Sequence, residues 1–208
     1  MMNNKEQIGI DWLKNQSEDV FCERTIVADK NHLKMLQDLS RADEYESGFA
    51  VTPVGSWKIF PTLEDYPDLY EYLERNTYPY DQPIGSYWMK WYGPGHFAGM
   101  HQDQYGKYAQ DDTTNSVWYV TSILVDCKNM VGGELVIAGD TSFLNTHVIA
   151  ERMKVLNITT PGNGACWNQY TQHGVAEILE GERVTLMIAK KSNEPRDPYL
   201  IKQETIQE

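Results

Sequence analysis

The spacing of apolar residues changes near residue 84. Before that point leucines recur three and four positions apart, which is the period of an amphipathic helix. After it the apolar residues form short β-branched and aromatic runs bounded by Gly, Asp, Asn or Pro, which is typical of strands and turns. The pattern predicts a helical N-terminal layer followed by sheets.

Residues 1–84 are predicted to form a helical support layer on one face of a sheet. Asp29 is suited to cap a helix that ends in the polar residues 44–47, and Pro67 is suited to open a second helix. Residues 55–60, between them, have the composition of a strand. The two apolar helix faces consist of Leu33, Leu36 and Leu39, and of Leu69, Tyr72 and Leu73.

Seven runs within residues 85–191 predict strands with no long helices between them. This favours an antiparallel double-sheet jelly roll, a double-stranded β-helix whose mouth can hold a site. The predicted fold class is mainly β with helical support (α+β), in one domain of residues 1–208 with a surface tail at 192–208. The predicted strands are residues 87–92, 117–126, 134–138, 154–159, 164–168, 173–178 and 183–190.

Composition narrows the function classes. Hydrophobic residues make up 41% and aromatic residues 12% of the 208 positions, as in a globular protein with a sizeable core. The net charge of -12 disfavours a phosphate-backbone partner, so no nucleic acid is expected. No apolar run approaches the length of a membrane-spanning helix, so no membrane is expected either. The oligomeric state stays open.

The cysteines bear on the cellular compartment. There are three, Cys22, Cys127 and Cys166, and an odd number without paired spacing argues against a disulfide framework. The N-terminal residues lack the charged and then apolar order of a secretory signal. A cytoplasmic location is therefore expected.

His101 and Asp103 carry the first sign of chemistry. Side chains alternate between the two faces of a strand, so residues two apart project to the same side. An imidazole and a carboxylate on one face suit Fe(II), which is bound by two histidines and one carboxylate in a facial triad with open positions. A second histidine must then come from elsewhere in the chain.

His173 supplies that histidine. It opens a predicted strand, which is followed by a three-residue loop ending at Gly181 in the left-handed conformation. In that hairpin Arg183 would lie opposite Glu177 and in phase with His173. A guanidinium there can bind a carboxylate bidentately, or it can form an ion pair with Glu177 or Glu134.

Together these elements resemble the 2-oxoglutarate/Fe(II)-dependent dioxygenases, specifically the prolyl 4-hydroxylase-like branch. The likeness rests on the His-x-Asp pair, the distant histidine and an arginine ten positions after it. Residues 132–137 resemble the Gly-Gly-Glu strand of that branch, and residues 162–167 resemble the glycine-led strand before its second histidine. The resemblance covers roughly residues 86–190.

The resemblance implies a role for each of five residues. His101, Asp103 and His173 would be the metal ligands and catalytic centre, and Arg183 would grip the distal carboxylate of 2-oxoglutarate. Tyr92, nine positions before His101, would contact the same co-substrate, although a tyrosine in an aromatic strand is ordinarily a core residue. Fe(II), 2-oxoglutarate and O2 are the implied cofactors, with L-ascorbate as a further candidate.

Hydroxylation is the implied reaction, and a prolyl residue of a peptide or protein is the implied substrate. Asp103 favours hydroxylation over halogenation, since a halide would need the position of the carboxylate. Two alternatives stay open: the same chemistry on a free amino acid or other small metabolite, and a non-catalytic metal-binding jelly roll that acts as a sensor or scaffold. A small closed pocket would favour the small metabolite, and an arginine turned away from the metal would favour the non-catalytic protein.

Several other residues are candidates for minor roles. Residues 77–83 and 105–116 are loops suited to close over a substrate. Cys166 and His173 are separated by an odd number of positions, which places them on opposite faces and argues against a thiol nucleophile. Candidates for the pocket lining are Trp118, Tyr119, Trp167, Asn168 and Gln169, and the histidines expected to be structural are His32, His96 and His147.

Overall fold

The computed structural model describes residues 24–41, 57–59, 62–103, 116–140, 153–169 and 171–195. Predictions for other positions lie outside the described residues. These positions are Cys22, His147, loop residues 105–115 and tail residues 196–208.

The first predicted helix is present as α1, Lys30–Ser40. Asp29 caps it, because its carboxylate accepts a hydrogen bond from the backbone N–H of His32 at 2.9 Å. The helix ends at Ser40; the polar residues 44–47, where the sequence predicts its end, lie outside the described residues. The Arg41 N–H closes the last turn through a bond to a carbonyl three residues back, which is the tighter 3-10 arrangement common at helix ends.

The second predicted helix is α2, Pro67–Asn76, and it starts at the proline as expected. Its Leu69 and Leu73 are fully buried in a cluster with Leu36 of α1 and Leu186 of a neighbouring strand. The two helices therefore cover one face of a sheet, as predicted. Neither helix in the described part of the chain is long enough to cross a membrane.

Strands make up most of the remaining described structure. They are β1 (Arg24–Thr25), β2 (Trp57–Ile59), β3 (Ile84–Tyr92), β4 (Ala98–His101), β5 (Ser116–Gly132), β6 (Leu135–Asp140), β7 (Lys154–Leu156), β8 (Asn163–Asn168), β9 (Thr171–Val175) and β10 (Ile178–Pro195). All described pairings are antiparallel. The large sheet has the order β1-β8-β5-β10-β3-β2, and the small sheet has the order β4-β9-β6-β7.

The main core lies between the two sheets. Leu135 and Ile137 of the small sheet pack in one cluster with Val120, Trp167 and Met187 of the large sheet. The helices cover the other face of the large sheet. This is the double-stranded β-helix with helical support that the sequence predicts, so the predicted fold class is confirmed.

The predicted hairpin between His173 and Arg183 is wrong. His173 belongs to β9 in the small sheet, whereas Arg183 belongs to β10 in the large sheet. Gly181 does have the expected left-handed conformation, with φ 74°. It lies within β10 at an irregular pairing with β5, where an added Cβ would meet the carbonyl oxygen of Lys128 at 2.1 Å. A glycine signal indicates a special backbone conformation, but it does not separate a bulge from a chain reversal.

Several strands differ from their predicted bounds. β5 covers 17 residues and β10 covers 18, so both extend well beyond the prediction. β10 includes residues 192–195, which the sequence assigned to the tail, and Ser192 is buried. β4 was not among the predicted strands, since its residues Ala98–His101 lack β-branched side chains. The division into a single domain stays a prediction.

Lys190 ties the helical layer to the large sheet. It is a fully buried residue of β10 whose ammonium group donates hydrogen bonds to the backbone carbonyls of Glu74, Thr77 and Pro79. These carbonyls lie at the C-terminal end of α2 and just beyond it, where a cation also interacts favourably with the helix dipole. All three donors of the ammonium group are therefore used within the fold.

Candidate metal centre

Three predicted ligands converge at one end of the small sheet. His101 is the last residue of β4 and pairs in register with His173 of β9. Asp103 lies two residues past the end of β4, and its carboxylate oxygens are 3.8 Å from His101 Nε2 and 3.5 Å from His173 Nε2. Candidate ligand atoms of the three side chains all lie within 4.8 Å of one another. The chain thus brings together residues that are seventy positions apart in sequence.

Backbone carbonyls orient both imidazole rings. Nδ1 of His101 lies 2.7 Å from the carbonyl oxygen of Gly99, and Nδ1 of His173 lies 3.0 Å from that of Thr171. A carbonyl oxygen can only accept, so each Nδ1 carries the proton and each Nε2 presents its lone pair towards Asp103. This arrangement is common for histidines that bind metals.

Trp167 holds the carboxylate and one of the rings. Its indole Nε1 donates a hydrogen bond to Asp103 Oδ2 at 3.1 Å. Its ring centroid lies 4.5 Å from that of His173, with the two planes tilted by 38°. Trp167 is fully buried on β8, so it supports the site from the large sheet.

Burial keeps His173 neutral. The side chain is 3% exposed, and this burial lowers the pKa of its imidazole to about 4, although the nearby Asp103 carboxylate opposes the shift. A neutral imidazole at pH 7 has a lone pair available for a metal. His101 is more exposed, with 33% of its side chain accessible to solvent.

The donor set fits a divalent iron. Two imidazole nitrogens and one carboxylate, with the second nitrogen of each ring bound to a carbonyl, match the two-histidine, one-carboxylate set of non-haem Fe(II) proteins. The indole that donates to Asp103 is a further outer contact of the kind that orients metal ligands.

Arg183 lies in the same cavity and has no anionic partner among the described residues. It is 2% exposed, and its Nη1 donates to the carbonyl oxygen of Gly133. Within the described residues its Nε has no hydrogen-bond partner, and neither Glu177 nor Glu134 forms the ion pair weighed from the sequence. Burial lowers the pKa of the guanidinium, which shows the cost of leaving it unpaired. A carboxylate ligand would supply the missing acceptor.

The cavity joins the arginine to the metal centre. It lies between the two sheets, and residues of both sheets line it. Tyr92 pairs in register with Arg183 on the adjacent strand, so both side chains project to the same face of the large sheet. The lining includes Lys90, Tyr92, His101, Trp167, His173 and Arg183.

Four of the five candidates for the pocket lining lie elsewhere; only Trp167 lines the cavity. Asn168 accepts a hydrogen bond from Thr171, and Gln169 accepts one from the backbone N–H of Trp118. Tyr119 packs edge-on against Tyr78 at 4.8 Å. Alternation explains the outcome for Asn168, because the neighbour of an inward-facing residue in a strand faces outward.

The other sequence candidates have structural contacts. The ring of His32 packs on Tyr72 at 4.3 Å, and His96 Nδ1 accepts a hydrogen bond from the Gly93 N–H. Residues 77–83 do not line the cavity, because their first residues are held at the end of α2 by Lys190.

Lys90 is a charged residue of the cavity that the sequence analysis missed. The signal was present, since Lys90 and Tyr92 are two apart in a strand and therefore share a face. A lysine in a run of aromatic residues is equally consistent with a side chain that faces solvent. Only the pairing of the strands determines which way Lys90 points.

Comparisons with known proteins agree on the fold. No protein-family model matches the sequence, and no curated protein matches it either. Among solved structures, a prolyl-4-hydroxylase from Pseudomonas putida is 13% identical, with 94% of this chain and 100% of that chain covered and a TM-score of 0.54.

Two further solved structures have similar scores. EctD from S. alaskensis, with 2-oxoglutarate and 5-hydroxyectoine, is 12% identical over 96% of this chain and 82% of that one, with a TM-score of 0.58. EvdO2 from Micromonospora carbonacea var. aurantiaca, complexed with 2-oxoglutarate, is 12% identical over 96% of each chain, with a TM-score of 0.56. At these identities the likeness establishes the fold, which this chain shares with the prolyl-4-hydroxylase, EctD and EvdO2.

Proposed function

We propose that the protein is an Fe(II)- and 2-oxoglutarate-dependent dioxygenase that hydroxylates its substrate. One observation carries the proposal: a two-histidine, one-carboxylate cluster shares a cavity with a buried arginine that has no carboxylate partner within the described residues. The fold supports it, because solved structures of the same fold include a prolyl-4-hydroxylase and proteins complexed with 2-oxoglutarate.

His101, Asp103 and His173 would hold the iron. The Gly99 and Thr171 carbonyls keep both Nε2 atoms directed at the site, so metal binding requires no change of tautomer. When bound, iron with 2-oxoglutarate and O2 supplies the oxidising power that places a hydroxyl group on a carbon atom. L-ascorbate stays a candidate additional cofactor.

Arg183 and Tyr92 would bind 2-oxoglutarate at the closed end of the cavity. Both are 2% exposed, so a carboxylate bound there is removed from competing water. The guanidinium already has a fixed position through its bond to the Gly133 carbonyl. The arginine faces the metal cavity, which favours an enzyme over the non-catalytic sensor or scaffold, since a co-substrate anchor has no evident use without turnover.

The substrate has two candidates. The sequence resemblance favours a prolyl residue of a peptide or protein. The cavity formed by the described residues is small, which favours a free amino acid or other small metabolite.

We place the protein in the cytoplasm, with neither nucleic acid nor membrane as a partner. Cys127 and Cys166 form no disulfide with another described residue, which suits a reducing compartment. The net charge of -12 opposes binding to a phosphate backbone.

Anaerobic titration with Fe(II) and 2-oxoglutarate tests the function. We expect a weak visible charge-transfer band when both are present, and release of succinate when air is admitted with a substrate. His32→Ala is a matched control, because His32 lies on α1 and packs on Tyr72. Binding of both ligands without succinate release from any candidate substrate would favour the sensor or scaffold, and no binding would refute the proposal.

A further inference from the structure

Lys90 places a second cation beside the metal centre. It lies on β3, two residues before Tyr92, and it pairs in register with Thr185 of β10. Both Thr185 and Lys90 line the cavity that contains His101 and His173. The strand pairing therefore fixes Lys90 on the inner face of the large sheet.

The ammonium group of Lys90 has no partner in the described structure. Lys90 forms no ion pair or hydrogen bond with any of the described residues. It is partly buried, and it lines the same cavity as His101 and His173. A cation that lines a cavity and has no ion-pair partner among the described residues can bind an anion there.

Under the proposed function, an anion at Lys90 would be distinct from the co-substrate. 2-Oxoglutarate has two carboxylates, of which one would lie at Arg183 and the other, with the keto group, at the metal. Arg183 is fully buried, whereas Lys90 and His101 are partly exposed. Lys90 is therefore more accessible than Arg183 to a substrate that enters from solvent.

We propose that Lys90 binds a carboxylate of the substrate, which makes the substrate a small organic acid such as a free amino acid. This inference rests on the proposed function and refines it. An internal prolyl residue of a peptide has no carboxylate beside its ring, so the lysine favours the small-metabolite candidate.

Matched acid and amide probes test the proposal. The panel is L-proline with L-prolinamide, N-acetyl-L-proline with N-acetyl-L-prolinamide, and butyrate with butyramide. Calorimetric titrations use the protein with Mn(II), which does not support turnover, and with excess 2-oxoglutarate, which occupies Arg183. We expect at least one acid to bind the wild type about tenfold more tightly than its amide, since a hydrogen bond to a charged group has about that effect.

Three variants test whether Lys90 causes the preference for acids over amides. Lys90→Met should abolish the preference for acids, and Lys90→Arg should retain most of it, because charge without bidentate geometry suffices. Lys154→Met, which removes an exposed lysine of β7, should leave it unchanged. The proposal is overturned if no acid binds more tightly than its amide, or if the preference survives in Lys90→Met.

Titration of 2-oxoglutarate distinguishes whether Lys90 binds a carboxylate of the substrate or a carboxylate of the co-substrate. Its affinity should be unchanged in Lys90→Met and reduced in Arg183→Met. Equal losses in both variants would assign Lys90 to the co-substrate and overturn the proposal. If neither Mn(II) nor 2-oxoglutarate binds at all, the proposed function fails, while an acid preference that is lost in Lys90→Met and kept in Arg183→Met would still support the anion site.

Discussion

The two sheets contribute different halves of the candidate site, and they do so by different means. The small sheet carries His101 and His173, whose rings are oriented by carbonyls two residues earlier in the chain. The large sheet carries Arg183 and Lys90, whose directions depend on the register between β3 and β10. The orientation of the two imidazole rings is therefore set by local contacts, whereas the directions of the two cations depend on pairing between distant strands.

A second contrast lies within β10 itself. Arg183 and Lys190 are both fully buried cations on this strand. Lys190 donates to three carbonyls, but Arg183 donates to one and has an unpartnered Nε within the described residues. A buried cation with all donors used stabilises the fold, and one with donors left over is suited to bind a ligand.

Replacing a metal ligand should have the largest effect on the candidate site. His173→Ala should weaken Fe(II) binding by more than about 100-fold, since even outer contacts of a metal site change affinity by about 10- to 100-fold. The fold should persist, because the other contacts of β9 remain. Anaerobic metal titration and circular dichroism measure the two effects, and undiminished iron binding would refute the assignment of this ligand.

Arg183→Met should break the cation half and leave the metal half intact. We expect the apparent 2-oxoglutarate requirement to rise by about 100-fold, because a charged hydrogen-bonded contact and its geometry are both lost. The melting temperature should stay the same or rise, since an unpaired buried cation is removed. Succinate release at varied 2-oxoglutarate checks the first effect; an unchanged requirement would place the co-substrate elsewhere.

Trp167→Phe tests whether a contact from the large sheet supports the metal half. It removes the hydrogen bond to Asp103 and keeps a ring beside His173. We expect Fe(II) affinity to fall by about tenfold. Trp118→Phe is the control, because Trp118 does not line the cavity; equal affinities in the two variants would show that the indole donor is dispensable.

Lys190→Met should destabilise the protein without changing ligand affinity. Its loss leaves three carbonyls at the end of α2 without their donor, at a cost of about 2 kcal/mol in the free energy of unfolding. Denaturant unfolding gives this value. If 2-oxoglutarate affinity changed and stability did not, Lys190 would be a ligand-binding residue like Arg183, and the distinction between the two cations of β10 would be wrong.

Lys190 should also have a smaller effect, which is on the pH dependence of the free energy of unfolding. Burial lowers the pKa of Lys190 to about 8, from an ordinary value of 10.5. Between these values the unfolded chain binds more protons than the folded one, so this residue makes the free energy of unfolding rise with pH. The difference in stability between wild type and Lys190→Met should therefore increase from pH 8 to pH 10, and a constant difference would contradict the assignment.

Much of the fold could be predicted because local chemistry specifies it. The cap at Asp29 and the proline at position 67 begin their helices where expected. The hairpin after His173 could not be excluded, since Gly181 has the left-handed conformation in either arrangement. The strands could not be bounded well, because β5 and β10 continue for as long as a partner strand lies beside them.

The sequence by itself determined which residues can act as ligands: two imidazoles, a carboxylate and a guanidinium, with spacings that resemble those of a known family. Only the tertiary structure decided that Arg183 faces His173 from the opposite sheet and that Lys90 joins them. The physical reason is that side-chain type is a local property, whereas direction in a sheet depends on register with strands far away in the chain.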